Sequence, residues 1–245
     1  MTISPPAVPP LAAKRPLLAL ESATLCGSVA LVCQGRCLAE YSLDVPTTHS
    51  RRLLQQLETI RRDVGVQWAD LAGLAVSLGP GSFTGLRIGL SMAKGLALAV
   101  KLPLLGVSTL DGLARQIIGP PGSKVCALLD ARKQEVYAAF YQCGVDGTPV
   151  RRGPDQVLRP ELLADQLIGP HILVGDGANT YREIFTARLG TAAIFAPSTS
   201  QFPRAATIGM IGEELLAKGD ILDPASSVPI YVRLSEAEIN LRKKD

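Results

Sequence analysis

Between residues 79 and 89 the chain reads GPGSFTGLRIG, four glycines and a proline placed where an apolar run gives way to a helical pattern. Glycine admits positive φ and lets another backbone come close. A helix N-terminus adds unpaired N–H groups and a partial positive charge, so Gly81, Ser82 and Thr84 are candidates to hold a phosphate. The plainer alternative is that Ser82 or Thr84 caps the helix. Two nucleotide signatures do not fit. A P-loop closes on Lys-Ser/Thr, whereas Gly85-Leu86-Arg87 stands there and the next lysine is Lys94; the GxGxxG fingerprint is overrun by one residue between its second and third glycines. Further along the same helix Gly85, Gly89, Ala93 and Ala97 recur four apart, a small-residue ridge on one face. Such a ridge admits close approach of another backbone, either the chain's own sheet or a helix of a second protein.

Other reactive groups are sparse. Asp130, Arg132 and Glu135 stand between two strand-like runs, either as an acid–base cluster or as an ion-paired turn. His49 and His171 are the only histidines and are far apart in sequence, so no histidine pair is available for a metal. The cysteines, at 26, 33, 37, 126 and 143, are odd in number and form no CxxC, which suits free thiols in a reducing compartment. No nucleophile is paired with a base, which speaks against a peptidase.

The elements that position these residues alternate in type. Apolar runs at 17–20, 28–33 and 37–43, with Gln34-Gly35 between the last two, predict an antiparallel start. Leu53, Leu54, Leu57, Ile60 and Val64 recur at helical spacing within 50–64, with Ser50 as a candidate N-cap. A strand at 74–78, the glycine-rich turn, a helix to about 100, a strand at 104–107 and a helix through 116 follow, before Gly119-Pro120-Pro121-Gly122 marks a boundary. The second half begins again with strands at 125–129 and 136–141 and a polar strand near 150–158. After these come a helix at 161–167, a strand at 171–174, a helix around Tyr181, a strand at 193–195 and a long helix at 205–218. Residues 224–245 read as an irregular tail with a short strand near 230–232, and the Pro-rich residues 1–16 as a disordered one. The expected organisation is α/β: a lobe over 17–118 and a related lobe over 119–223, each a mixed sheet flanked by helices.

Five segments together, LLALESATLCGSVAL at 17–31, HS at 49–50, GPGSFTGLRIG at 79–89, LLDARKQEVYAAFY at 128–141 and GDGANTY at 175–181, resemble the TsaB (YeaZ) family over nearly the whole chain. The resemblance implies an actin-like ATPase (ASKHA) fold and a non-catalytic subunit beside the catalytic paralogue TsaD and the ATPase TsaE. Together such proteins place a threonylcarbamoyl group on the adenosine next to the anticodon of tRNAs reading codons that begin with A. It implies that the helices near 50–64 and 84–100 contact TsaD, or a second copy when TsaD is absent, with Leu53, Leu57, Ile60, Gly85, Gly89, Ala93 and Ala97 as candidate contact residues. ATP then acts through partner subunits, tRNA is met through the complex, and this chain has no catalytic residue, metal or cofactor of its own. The HxxxH metal pair of the catalytic paralogue has no counterpart here. Actin-like ATPases usually end their first strand in an Asp that helps hold the metal and phosphates; this chain has Glu21 followed by Ser22, so these two are only weak candidates for a nucleotide. A free-standing phosphotransferase or hydrolase of the same superfamily is the alternative reading.

Composition agrees with two modest cores: 245 residues, 47% hydrophobic. A net charge of +3 and a pI near 8.6 fall short of a dedicated nucleic-acid binder, and the basic residues 242–244 suit a solvated tail as well as a phosphate contact. Lys14-Arg15 before PLLAL imitates a signal peptide, but Glu21, Ser22 and Thr24 interrupt the apolar run, so the expectation is a soluble cytoplasmic protein.

Overall fold

The structure, a computed structural model, describes residues 15–45 and 49–233. The expected N-terminal tail before Arg15, the Ser50 cap and the basic residues 242–244 lie outside the described residues or side chains. Two mixed sheets carry the chain. In the first, β1 (Leu17–Glu21), β2 (Cys26–Cys33) and β3 (Arg36–Asp44) form an antiparallel meander; β4 (Gly73–Gly79) and β5 (Leu104–Ser108) add in parallel, giving the order β3-β2-β1-β4-β5. The β2–β3 turn is Gln34-Gly35, with φ of 56° and 70°, the doubly left-handed turn that matches the twist of a tight hairpin.

The second sheet repeats the plan. A meander of β6 (Lys124–Asp130), β7 (Val136–Cys143) and β8 (Pro149–Arg151) is joined in parallel by β10 (His171–Val174) and β11 (Ala193–Phe195), in the order β8-β7-β6-β10-β11; β9 (Gln156–Leu158) also pairs with β7. The anticipated single polar strand near 150–158 is thus two short strands on one partner.

Helices α1 (His49–Val64) and α2 (Phe83–Val100) cover one face of the first sheet, because Leu18, Leu20, Val29 and Leu31 point that way and meet Leu53, Leu57, Ile60, Leu90, Ala93 and Ala97. The alternate strand residues Leu17, Ala19, Ala30 and Val32 face α7 (Ala205–Lys218). Helix α3 (Thr109–Ala114) packs Leu110, Leu113 and Ala114 on the second sheet, whose other face is covered by α4 (Pro160–Gln166) and α6 (Arg182–Leu189) around Leu163 and Phe185. A five-residue helix α5 (Asp176–Thr180) precedes α6, with Tyr181 between the two.

A cut at residues 119–122 therefore separates the sheets but not the layers. Helix α3 precedes the cut and serves the second sheet, while α7 follows it and serves the first. No strand forms at 230–232; the tail runs as irregular chain, with Leu222 bridged to Leu104 and Ile230 N–H donating to Leu78 C=O. By length and composition α2 could cross a membrane, yet it lies along a sheet with its small-residue face buried.

Candidate functional site

The strands end in loops that face each other across a cleft of about 610 Å³. From the first lobe come the loop after β1 (Ala23, Thr24, Leu25) and the start of α2 (Gly81, Ser82, Phe83, Arg87); from the second come the β6–β7 turn (Asp130 to Lys133), Tyr137 and Asp176. This is the crevice at strand ends where open α/β sheets bind ligands.

The start of α2 is assembled by close backbone contacts. Ser82 N–H donates to Ala23 C=O at 2.7 Å, and the Ser22 hydroxyl donates to Gly85 C=O at 2.9 Å. Any Cβ on Gly81 or Gly85 would fall within 3 Å of the Ala23 or Ser22 backbone, so glycine there is a packing requirement. Ser82 is the N-cap, its hydroxyl accepting from Gly85 N–H at 3.3 Å.

Opposite, three consecutive non-glycine residues, Arg132, Lys133 and Gln134, hold φ near +59°, +53° and +60°. Residues with side chains seldom adopt this region even singly. Their turn is closed by Ala131 N–H to Glu135 C=O at 2.9 Å and by Arg132 N–H to Asp130 Oδ1 at 2.9 Å. Arg132 pairs with Asp130 and Glu135 with Arg233, so Asp130, Arg132 and Glu135 form an ion-paired turn. Asp176 closes the floor: its Oδ1 accepts from Asp130 N–H at 3.0 Å, and burial pushes its carboxyl up to about 6. With Arg87, Arg132, Lys133 and Arg233 on the wall against Asp130 and Asp176, the cleft is net positive and suits an anionic group.

Of the weak nucleotide candidates, Gly81 and Ser82 line the cleft. Thr84 is exposed on the first turn of α2 and is not on the cleft wall. Glu21 and Ser22 are fully buried below it, which removes them from any direct ligand contact. Glu21 Oε1 accepts from Ala23 N–H at 2.5 Å, whereas Oε2 has no partner; burial raises the carboxyl to about 7 against the opposing pull of the Ala23 N–H, the nearby Ser77 hydroxyl and the Ser22 N–H. Ser77 Oγ lies beside it without formal hydrogen-bond geometry, a near neighbour more than a fixed partner.

The seven candidate contact residues also face inward. Leu53, Leu57, Ile60, Gly85, Gly89, Ala93 and Ala97 are all buried against the chain's own sheet. A Cβ on Gly89 would collide with Ser22 Oγ and reach Val76 Cγ2 at 3.8 Å. The ridge is thus the seat of α2 on β1 and β4, and it presents no surface to another molecule. The opposite faces stay open: Leu54 on α1 is 47% exposed and Leu98 on α2 63%, Gly95 has nothing within 4 Å, and Ile88, Met92 and Leu96 are only partly covered.

Among the described residues no group of three or more His, Cys, Asp or Glu side chains is placed to hold a metal ion. His171 is buried with Nδ1 2.9 Å from Gly169 C=O, and burial lowers its pKa. Cys26, Cys33, Cys126 and Cys143 are buried and Cys37 is exposed, and none of them forms a disulfide. Sequence reasoning missed Phe83, Arg87, Asp176, Phe202 and Arg233 as cleft residues. Arg87 lay in the glycine-rich segment and Asp176 in GDGANTY, so both carried a local signal; Phe202 and Arg233 carried none.

Residues 44–241 match the model of the family described as "TsaD: tRNA N6-adenosine threonylcarbamoyltransferase". The tRNA threonylcarbamoyladenosine biosynthesis protein TsaB of Escherichia coli K12 is 33% identical over 94% of this chain and 99% of its own. The solved YeaZ of Pseudomonas aeruginosa superposes with a TM-score of 0.76 at 30% identity, over 89% of this chain and 99% of that one. The ethanolamine utilization protein EutJ of Carboxydothermus hydrogenoformans, at 13% identity and a TM-score of 0.52 over 85% of this chain and 92% of its own, shares the fold alone, that of actin-like ATPases. Near-complete coverage of these relatives, the duplicated sheet plan and the glycine-seated α2 agree, and the chain belongs to the TsaB (YeaZ) family of tRNA threonylcarbamoyladenosine biosynthesis proteins.

Proposed function

We propose that this chain serves tRNA threonylcarbamoyladenosine synthesis as a docking subunit that binds TsaD through the outer faces of α1 and α2, and that TsaD carries the chemistry. The observation that supports this is the apolar surface that α2 leaves open. One face, Gly85, Gly89, Ala93 and Ala97, is spent on the chain's own sheet; Ile88, Met92 and Leu96 flank that seat and are only partly covered, and Leu98 stands exposed on the outer side. On the outer side, beside the polar Arg87 and Ser91, Leu98 is an exposed large apolar side chain, and such a residue next to half-covered apolar neighbours suits a protein partner. Gly95 on the same side leaves room for a partner backbone. TsaE joins through the same assembly, a second copy of this chain occupies the face when TsaD is absent, and tRNA is met by the complex. Localisation then follows the tRNA substrate to the cytoplasm.

A nucleotide-dependent phosphotransferase is the second reading, favoured by the cation-lined cleft. The burial of Glu21, away from the position where an acidic group would hold a metal and phosphate, weighs against it.

The decisive experiment is reconstitution of tRNA modification from TsaD, TsaE, threonylcarbamoyl-adenylate and tRNA, with this chain wild type, absent, or carrying Leu98→Arg. Omission and the substitution should both abolish modification and co-elution with TsaD while the folded signal of the variant is unchanged. Equal modification without the chain would end the proposal. Metal- or nucleotide-dependent turnover by the chain alone at an enzymatic rate would establish the second reading.

A further inference from the structure

The chain after α7 does not simply trail away. Leu222 N–H donates to Leu104 C=O at 2.8 Å on the edge of the first sheet. Lys94 Nζ on α2 donates to the carbonyls of Ala225 at 3.4 Å and Ser227 at 3.0 Å. Ile230 N–H then donates to Leu78 C=O at 2.8 Å, so close to Gly79 that a Cβ there would lie 2.6 Å from Ile230 C=O. Tyr231 stacks on Phe83 with ring centroids 4.7 Å apart and 15° between planes, and its hydroxyl accepts from Arg87 Nε at 3.0 Å. Every one of these anchors belongs to the first lobe.

The next residue belongs to the second. Val232 packs into the apolar cluster of α3, β6 and β7. Arg233 Nη1 donates to Ala131 C=O at 2.8 Å, its other nitrogen pairs with Glu135, and its guanidinium lies 5.9 Å from the Tyr137 ring. The segment thus changes lobes across the single peptide between Tyr231 and Val232, at the wall of the cleft, to which Arg233 contributes.

We propose that residues 222–233 are a latch that sets the width of the interlobe cleft, with Tyr231 as its hook on the first lobe and Val232–Arg233 as its hook on the second. The lobes are also joined through α3, whose Asp111 receives both Tyr141 and Arg151 at 2.8 Å, and by the chain that runs from β11 to α7. Opening the cleft by rotation about α3 has to break one hook. The hooks differ in chemistry, an aromatic stack with a cation on one side and a charge-assisted pair on the other, so each can be released separately.

That separability supplies the test, by hydrogen exchange on the full chain. With Tyr231→Ala the perturbed residue touches only the first lobe, and the reporters are the Ala131 and Glu135 amides of the second-lobe turn. With Arg233→Ala the reporters are Leu86, in the first turn of α2, and Ile230, both bonded within the first lobe. Each variant should speed exchange of the opposite lobe's reporters about tenfold, while the central strands β1 and β6 keep their protection. Arg233→Lys, which retains a cation, should lie between wild type and Arg233→Ala. If each substitution affects only the lobe it touches, the latch does not exist. If β1 and β6 lose protection in step, the segment is an ordinary part of the core and the proposal fails as well.

Discussion

Glu21→Gln isolates the one fully buried carboxylate at a strand end of the first sheet. Its side chain has no exposure, one oxygen is satisfied by Ala23 N–H, and the other has no partner. The charged form is therefore disfavoured by burial more than its dipolar neighbours favour it, and the carboxyl titrates at about 7 in place of 4.5. The sign follows from proton counts. Between these values the unfolded chain has lost the proton and the folded one retains it, so folding stability falls as pH rises through the interval and levels off above it. At about 1.4 kcal/mol for each pH unit, the loss from below 4.5 to above 7 amounts to about 3 kcal/mol, a large share of a domain's stability. Glutamine has nearly the same shape and cannot ionise. Urea unfolding of wild type and Glu21→Gln from pH 4.5 to 8.5 should show the variant gaining about 3 kcal/mol on the wild type across the range. Taking the difference removes the parallel contribution of Asp176, raised to about 6, and the opposed one of His171. Parallel curves for the two proteins would refute the assignment of Glu21 as a carboxyl neutral at mildly acidic pH.

Gly89→Leu should destabilise the first lobe by at least about 1–3 kcal/mol, seen in thermal unfolding, since the added side chain meets Ser22 Oγ and Val76 beneath α2; a variant of wild-type stability that merely loses TsaD would show the ridge to be external. Leu57→Ala, deleting a side chain with no exposure between α1 and the first sheet, should cost about 2–5 kcal/mol by urea denaturation. Arg151→Ala strands Asp111 and Asp155, which the guanidinium bridges with Ser108 between α3 and the second sheet; these groups are part-buried, so a loss of about 1–3 kcal/mol is expected. It should be accompanied by faster amide exchange in α3, and an unchanged α3 would show that this bridge does not hold the lobes together.

Much of the fold is legible along the chain because strand and helix periodicities are local. Gln34-Gly35 marks its own hairpin, Ala205–Lys218 declares itself as α7, and the return of a strand meander after Gly119–Gly122 reveals the duplication. The side on which an element is used is a different kind of information. Both α3 and α7 advertise an apolar face, but their exchange between lobes is settled by shape: Gly112 of α3 sits against Ile208 of α7, and the Thr207 hydroxyl donates to Gly112 C=O at 2.7 Å. No pattern within either helix encodes that meeting.

The same distinction governs α2 and carries the functional consequence. Its four-residue spacing of Gly85, Gly89, Ala93 and Ala97 correctly signals intimate contact, yet spacing is blind to which neighbour is close, and Ser22 on the chain's own β1 claims the face. The docking surface proposed above is the less conspicuous side, where Gly95 and Leu98 stand near half-covered apolar residues. An interface made by such a helix is coupled to the cleft by construction. The glycines that seat α2 fix the start of the helix, Ser82 and Phe83 at that start line the cleft, and Arg87 and Lys94 hold the C-terminal segment that crosses to the second lobe. A partner that tilts α2 must therefore strain either its glycine seat on β1 or the contacts around Tyr231. The second are more exposed, so displacement will appear first at the Tyr231–Val232 crossing and at the Ala131–Glu135 turn beyond it.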